Sequence, residues 1–271
     1  MSSTNSTNST NSTNSSNLSM ALKDHHVLVT GGSQGIGAAI VVDAAAEGAR
    51  VSFFDIDVER GEALAAKLNS EGNQVQFIKA DVSKFAPFKS AYDAAVAKFG
   101  PVTAACSNAG RNSYADPVTY TDEEWESFFA LDLKSSWYIS KLCLPEMRKA
   151  KKGSIVFISS IHGRMTAPNY FPYSAAKGGL IGLARNLALD EGPRNIRTNT
   201  VSPGYTLTAL VHSYFDLYPD RKADAEAVQP MARMGNPSEI AKVVSFVMSD
   251  GASFINGADL MVDGGLHARF A

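Results

Sequence analysis

From about Lys23 onward, short runs of consecutive apolar residues alternate with longer stretches whose apolar positions recur at helical spacing. The runs HHVLVT (25–30), ARVSFFD (49–55), QVQFIKAD (74–81), PVTAACSNAG (101–110), SIVFISS (154–160), IRTNTVSPG (196–204) and ADLMVD (258–263) predict strands. Between them, IGAAIVVDAAAEG (36–48) and VERGEALAAKLNSEG (58–72) carry the helical period and close on a glycine, a common helix stop. Further helices are expected up to about Phe99, from 122 to 147, from 172 to 190 and from 237 to 249. A polar, proline-bearing stretch, 205–235, interrupts the alternation. Strands that are apolar throughout are buried on both faces, and strict β-α alternation gives a parallel sheet covered by helices on each side. The expectation is one doubly wound α/β domain over residues 21–271, with no linker inside it.

The segment 1–20 stands apart. Its first 19 residues, MSSTNSTNSTNSTNSSNLS, form a Ser/Thr/Asn repeat that cannot bury enough surface to offset its ordering entropy, so a disordered leader is expected. The repeat has neither the basic start nor the apolar core of a secretion signal. It spells several N-x-S/T sequons, which matter only in a secretory compartment.

Composition narrows the function classes. The net charge is −2 and there is no basic block, so nothing points to nucleic acid or an anionic membrane. No apolar run approaches the ~20 residues needed to span a bilayer. The two cysteines, Cys106 and Cys143, form no CxxC pair, and no HExxH occurs. Reduced core cysteines, a cytoplasmic location and no catalytic metal are the expectations.

Directly after the first strand comes TGGSQGIG, with Gly31, Gly35 and Gly37 opening the first helix. Such a strand-to-helix turn lets backbone N–H groups approach a pyrophosphate at the helix N-terminus. A plain tight turn can carry the same glycines; the position after strand one of a β-α series favours the dinucleotide. Asp55 ends strand two, 18 residues past Gly37. A carboxylate there accepts hydrogen bonds from the adenosine ribose and repels a 2′-phosphate. Positions 33, 34 and 56 carry no Arg or Lys to neutralise such a phosphate, so NAD is favoured over NADP. Asp57 reads as a solvated strand-end aspartate.

With these residues in hand, the chain resembles the short-chain dehydrogenase/reductase superfamily in its single-domain form, over about residues 21–266. TGGSQGIG matches the family's TGxxxGxG turn, and Asp81-Val82 its adenine-contacting pair. Asn108-Ala109-Gly110 matches the NAG stretch after strand four, Pro203-Gly204 the nicotinamide-side PG motif, and Asp263-Gly264-Gly265 the C-terminal DGG. Ser160, Tyr173 and Lys177 match the catalytic residues at the family's spacing. The resemblance implies a Rossmann-like fold and a cofactor site formed by Gly31, Ser33, Gln34, Gly35, Ile36, Gly37, Asp55, Asp81, Val82, Asn108, Ala109, Gly110, Tyr173, Lys177, Pro203, Gly204, Thr206 and Thr208. It also implies a homotetramer with the long fourth and fifth helices in a four-helix interface. Leu180, Leu183 and Leu187 carry apolar character beyond one core-facing stripe, which fits burial on two sides.

The stretch YSAAK (173–177) places Tyr173 and Lys177 on one helix face. Moving a hydride from a carbinol to nicotinamide requires removal of the hydroxyl proton. A free phenol, titrating near pH ~10, is a poor base at neutral pH, and a lysine one turn away together with a cationic ring favours the phenolate. Ser160 can hydrogen-bond the substrate oxygen and hold it against Tyr173. The resemblance adds that Lys177 binds the nicotinamide ribose.

One position departs from the family. Where it usually carries asparagine in the fourth helix, the chain reads Ala130-Leu131-Asp132-Leu133-Lys134. The family residue acts through a backbone carbonyl that binds a water linked to the lysine, and Asp132 keeps that carbonyl. An ionised side chain would add negative charge beside the site. Asp132 is carried as the fourth catalytic candidate.

The substrate pocket is expected from the loop after strand four, the loop between Ser160 and Tyr173, and the 205–235 stretch. Arg111, His162, Asn169 and Tyr205 are the substrate candidates, with Asn112, Arg164 and Tyr170 nearby. A lining this rich in hydrogen-bonding groups suits a sugar, polyol or small hydroxy acid. Met165, Phe171, Leu207 and the 215–218 segment offer an apolar wall suited to a hydrophobic ketone. A catalytically silent NAD-binding protein is the remaining alternative.

Overall fold

The computed structural model describes residues 20–269, so the expected disordered leader lies outside the described residues apart from Met20. Seven strands form one parallel sheet: β1 (His26–Thr30), β2 (Arg50–Asp55), β3 (Gln74–Lys79), β4 (Ala104–Ser107), β5 (Gly153–Ile158), β6 (Ile196–Pro203) and β7 (Asp259–Val262). Their spatial order is β3-β2-β1-β4-β5-β6-β7. Within the apolar strands, period-two alternation distributes residues between two cores. Val27 and Val29 of β1 and Phe53 of β2 face α1 (Gly35–Ala46), α2 (Val58–Ser70) and α9 (Pro237–Met248). Leu28 and Phe54 face the other side, against α3 (Phe85–Phe99), α5 (Ser135–Ala150) and α6 (Tyr173–Glu191). The chain order reverses between β1 and β4, and in such sheets the crevice at the carboxyl ends of those strands binds the ligand.

Three local features differ from the sequence expectation. The stretch 122–147 is not one helix: α4 (Asp122–Phe129) passes through a π-helical turn, Ala130–Lys134, before α5 begins. The 205–235 stretch contains two further helices, α7 (Ala209–Leu217) and α8 (Pro219–Ala227). Asp57 is the N-cap of α2, its carboxylate accepting the Arg60 N–H at 3.1 Å, rather than a merely solvated strand end. Among the described residues no helix is long and apolar enough to cross a membrane.

Candidate active site

The first half of the site is the turn between β1 and α1. Gly31 and Gly35 have φ of 66° and 57°, a region glycine occupies without a Cβ penalty. At Gly37 the strand end and the helix start touch: a Cβ there would lie 1.9 Å from the Gly31 carbonyl oxygen. No side chain caps α1 at Gln34, and no acidic residue stands in its first turn. The helix therefore presents its first N–H groups and the positive end of its dipole to an anionic group. Asp55 braces the turn, its carboxylate accepting the Ser33 N–H at 2.9 Å and the Asp57 N–H at 3.1 Å. From β4, the Asn108 side-chain amide donates to the Thr30 and Gly31 carbonyls at 3.1 and 2.9 Å. The Thr30 hydroxyl in turn accepts the Asn108 and Ala109 N–H groups, both at 3.1 Å. Ile36 packs onto the α1-side core.

The opposite wall comes from the end of β6. Pro203 closes the strand, the buried Thr206 hydroxyl donates to the Gly204 carbonyl at 3.1 Å, and the Thr208 methyl lies 3.3 Å from where a Cβ on Gly35 would stand. Beyond β3, Asp81 accepts the Ser83 N–H at 3.1 Å and pairs with Lys84 at 3.2 Å, while Val82 is buried. Glycines in close contact, an uncapped helix and a carboxylate at the end of β2 fit a dinucleotide. One cation was missed from sequence. Arg60, one turn into α2, donates to Gln34 Oε1 at 3.0 Å and pairs with Asp57 at 3.2 Å, so its charge near the turn is already matched.

The second half lies at the ends of β5 and β4. Tyr173 opens α6, and Lys177 follows one turn later with Nζ 5.4 Å from the Tyr173 ring centroid. Lys177 is only 5% exposed, and its ammonium donates to the Ile158 carbonyl at 3.2 Å. The Ser159 hydroxyl donates to the Lys177 carbonyl at 2.8 Å, which fastens α6 to the end of β5. Ser160 caps the short turn Ile161–Gly163, its Oγ accepting the His162 N–H at 3.2 Å.

Asp132 sits in the π-helical turn, 1% exposed, with Oδ1 3.8 Å from Lys177 Nζ. Its carboxylate accepts the Arg111 N–H at 3.0 and 3.3 Å. Gly110 leaves the room: a Cβ there would lie 2.7 Å from Asp132 Oδ1 and 3.3 Å from Lys177 Nζ. Burial pushes the Asp132 carboxyl up to about 6, with the Lys177 charge and the Arg111 N–H pulling the other way. Sequence reasoning assigned this residue a backbone role; the structure places its side chain against the lysine as well. When ionised, the carboxylate opposes negative charge on Tyr173. Asp132→Asn keeps the backbone carbonyl and removes that charge. It is expected to retain most of kcat/KM and to move the acid limb of the pH–rate profile to lower pH. A dead variant with intact dinucleotide binding would instead make the carboxylate itself essential.

The substrate candidates separate. His162 stacks on Tyr170 with ring centroids 3.8 Å apart and meets Tyr173 edge-on at 5.9 Å. Tyr170 also contacts the Tyr114 ring at 5.2 Å and lies near Tyr205; burial pushes its phenol up. His162 and Tyr205 thus join one aromatic group beside Tyr173. Arg111 and Asn169 do not join it. The Arg111 guanidinium turns to α4, donating to Ser127 Oγ at 3.1 Å over the Phe128 ring, and only its backbone N–H enters the site. Asn169 is exposed, with φ of 70°, at the turn that delivers Tyr170. Arg164 is ion-paired to Asp259 on β7, and Asn112 donates to the Tyr114 hydroxyl at 3.0 Å. Tyr114 was missed because its loop has no periodicity. What places it is the Ala115 N–H donating to the Phe171 carbonyl at 2.9 Å, which joins the two pocket loops.

A family model described as enoyl-(acyl carrier protein) reductase matches residues 31–267. The chain is 36% identical over 250 residues to a 3-oxoacyl-(acyl-carrier-protein) reductase of Chlamydia trachomatis serovar D, covering 92% of this chain and 100% of that one. It is 35% identical over 239 residues to D-threitol dehydrogenase of Mycolicibacterium smegmatis, covering 88% and 91%. Among solved structures, levodione reductase superposes with a TM-score of 0.85 at 33% identity, covering 92% of this chain and 100% of that one.

Proposed function

The chain belongs to the short-chain dehydrogenase/reductase superfamily, and from that premise we propose an NAD-dependent dehydrogenase that interconverts a secondary alcohol and a carbonyl on a hydroxyl-rich substrate such as a sugar or polyol. The observation that carries this reading is Lys177 beside the Tyr173 ring at the start of α6, with Ser160 just past the end of β5 and hydrogen-bonded to the backbone of His162, whose ring meets Tyr173 edge-on. When bound, a nicotinamide dinucleotide supplies the acceptor for the electron pair of the carbinol C–H bond. The Ser160 hydroxyl holds the substrate oxygen, Tyr173 takes its proton, and the Lys177 ammonium stabilises the resulting negative charge. The hydroxyls of Tyr170 and Tyr205 and the imidazole of His162 support a polar substrate, as does the similarity to a D-threitol dehydrogenase. A screen of aldoses, polyols and hydroxy acids with NAD tests the reading; no dinucleotide reduction with any of them would remove it. The aromatic wall of Tyr120, Trp125 and Phe171 favours a second reading, a more hydrophobic ketone, which the same screen run in reverse with cyclic ketones distinguishes.

NAD is proposed over NADP because a 2′-phosphate would have to lie against the Asp55 carboxylate. At least a tenfold preference in kcat/KM is expected, since tenfold requires only about 1.4 kcal/mol. Asp55→Ala should relax it partially. Equal efficiency with both dinucleotides would remove the proposal.

A homotetramer is proposed through the long helices. Phe129, Leu133, Trp137 and Leu183 line an apolar groove of about 410 Å³ across α4, α5 and α6, and Trp137 is 45% exposed. Light scattering at micromolar concentration should give four times the chain mass, and a monomer would contradict this assembly.

A further inference from the structure

His162 is fixed by three contacts that leave one ring atom unassigned. Its N–H is held by Ser160 Oγ, its ring lies flat on Tyr170, and its Nδ1 is 3.0 Å from Thr166 Oγ1. The Thr166 hydroxyl donates its single proton to the Ala167 carbonyl at 3.4 Å. With that proton engaged the hydroxyl accepts from Nδ1, and we assign the ring proton to Nδ1 on this basis. Burial pushes the His162 imidazole below its ordinary range, which keeps the ring neutral at pH 7. Nε2 is therefore a lone-pair acceptor, and it has no hydrogen-bond partner among the described residues.

The position of this acceptor defines what it can take. His162 stands two residues after Ser160 and edge-on to Tyr173, the two groups that hold the reacting oxygen. A substrate oxygen taken by Ser160 and Tyr173 would bring the hydroxyl on the next carbon, one C–C bond away, toward the ring that meets Tyr173 edge-on. An acceptor there rewards a hydroxyl, which can donate, and gives nothing to a methylene. We propose that His162 is a specificity-determining residue whose Nε2 accepts a hydrogen bond from the hydroxyl adjacent to the reacting carbinol, so that the site selects vicinal diols over simple secondary alcohols. This rests on the dehydrogenase reading above and names the substrate class within it.

The test uses a matched pair, 1,2-cyclopentanediol (cis and trans isomers) and cyclopentanol, with wild type, His162→Phe and His162→Gln. Two quantities are read: kcat/KM with NAD, and the dissociation constant of each alcohol from the NAD-loaded protein by calorimetry. His162→Phe keeps an aromatic ring on Tyr170, and circular dichroism with a thermal melt confirms that it folds. In wild type one diol isomer should be favoured over cyclopentanol by about three- to tenfold, the worth of one neutral hydrogen bond. The ratio should fall to near one in His162→Phe and be restored in His162→Gln, whose amide oxygen is again an acceptor. A diol preference that survives in His162→Phe, or is absent from wild type, overturns the proposal. If wild type turns over neither alcohol, that counts against the dehydrogenase reading, and the calorimetric ratio alone then decides the role of His162.

Discussion

Tyr173→Phe is expected to lose about two to four orders of magnitude in kcat/KM, the range that positioned proton transfer contributes. Each order corresponds to about 1.4 kcal/mol of transition-state stabilisation. The substitution deletes one oxygen and leaves the ring, its edge contact with His162 and the start of α6 in place. Lys177 keeps its bond to the Ile158 carbonyl and its place beside Asp132, because neither contact passes through the phenol. Dinucleotide affinity, measured by fluorescence titration, should therefore stay close to wild type while turnover collapses. Loss of both together would point to a structural role for the hydroxyl, and unchanged turnover would overturn the catalytic assignment.

Gly37→Ala should damage the protein at the opposite end of the crevice. The added Cβ would stand 1.9 Å from the Gly31 carbonyl oxygen and 2.5 Å from the Asn108 amide nitrogen. Neither neighbour can yield cheaply. The first is backbone, and the second is held by the carbonyls of Thr30 and Gly31. Overpacking of this kind costs about 1–3 kcal/mol. In a domain of this size each kcal/mol is about 2–4 °C in Tm, so a fall of several degrees is expected. Because the strain is relieved by moving the N-terminus of α1, NAD affinity should fall at least tenfold as well, about 1.4 kcal/mol. A variant with wild-type Tm and wild-type NAD affinity would show that the turn does not form as described.

Legibility in the sequence followed the range of the forces involved. The strands were readable because residues such as Val27, Leu28 and Val29 are all buried, and a doubly covered strand has no polar face to hide it. The glycine turn and the pairing of Tyr173 with Lys177 on one face of α6 were readable because backbone approach and helix periodicity dictate residue types locally. Helix α8 was not readable: PDRKADAEA has no apolar stripe to reveal its period. The π-helical turn at Asp132 was hidden because widening one turn leaves the surrounding apolar pattern almost intact. Arg111 and Arg164 were misdirected toward the pocket because a long cationic side chain follows its partners. Those partners, Ser127 and Asp259, are distant in sequence or topology.

The central claim is that this chain moves a hydride between a carbinol carbon and a nicotinamide dinucleotide. A polyol substrate from the screen, deuterated at each carbinol carbon, would be incubated with NAD and the wild-type protein, and the product dinucleotide weighed by mass spectrometry. The account predicts NADH carrying one deuterium from the substrate, formed by the wild type and lost in Tyr173→Phe. NAD that binds but is returned unreduced by every polyol, sugar and ketone–alcohol pair tried would contradict it.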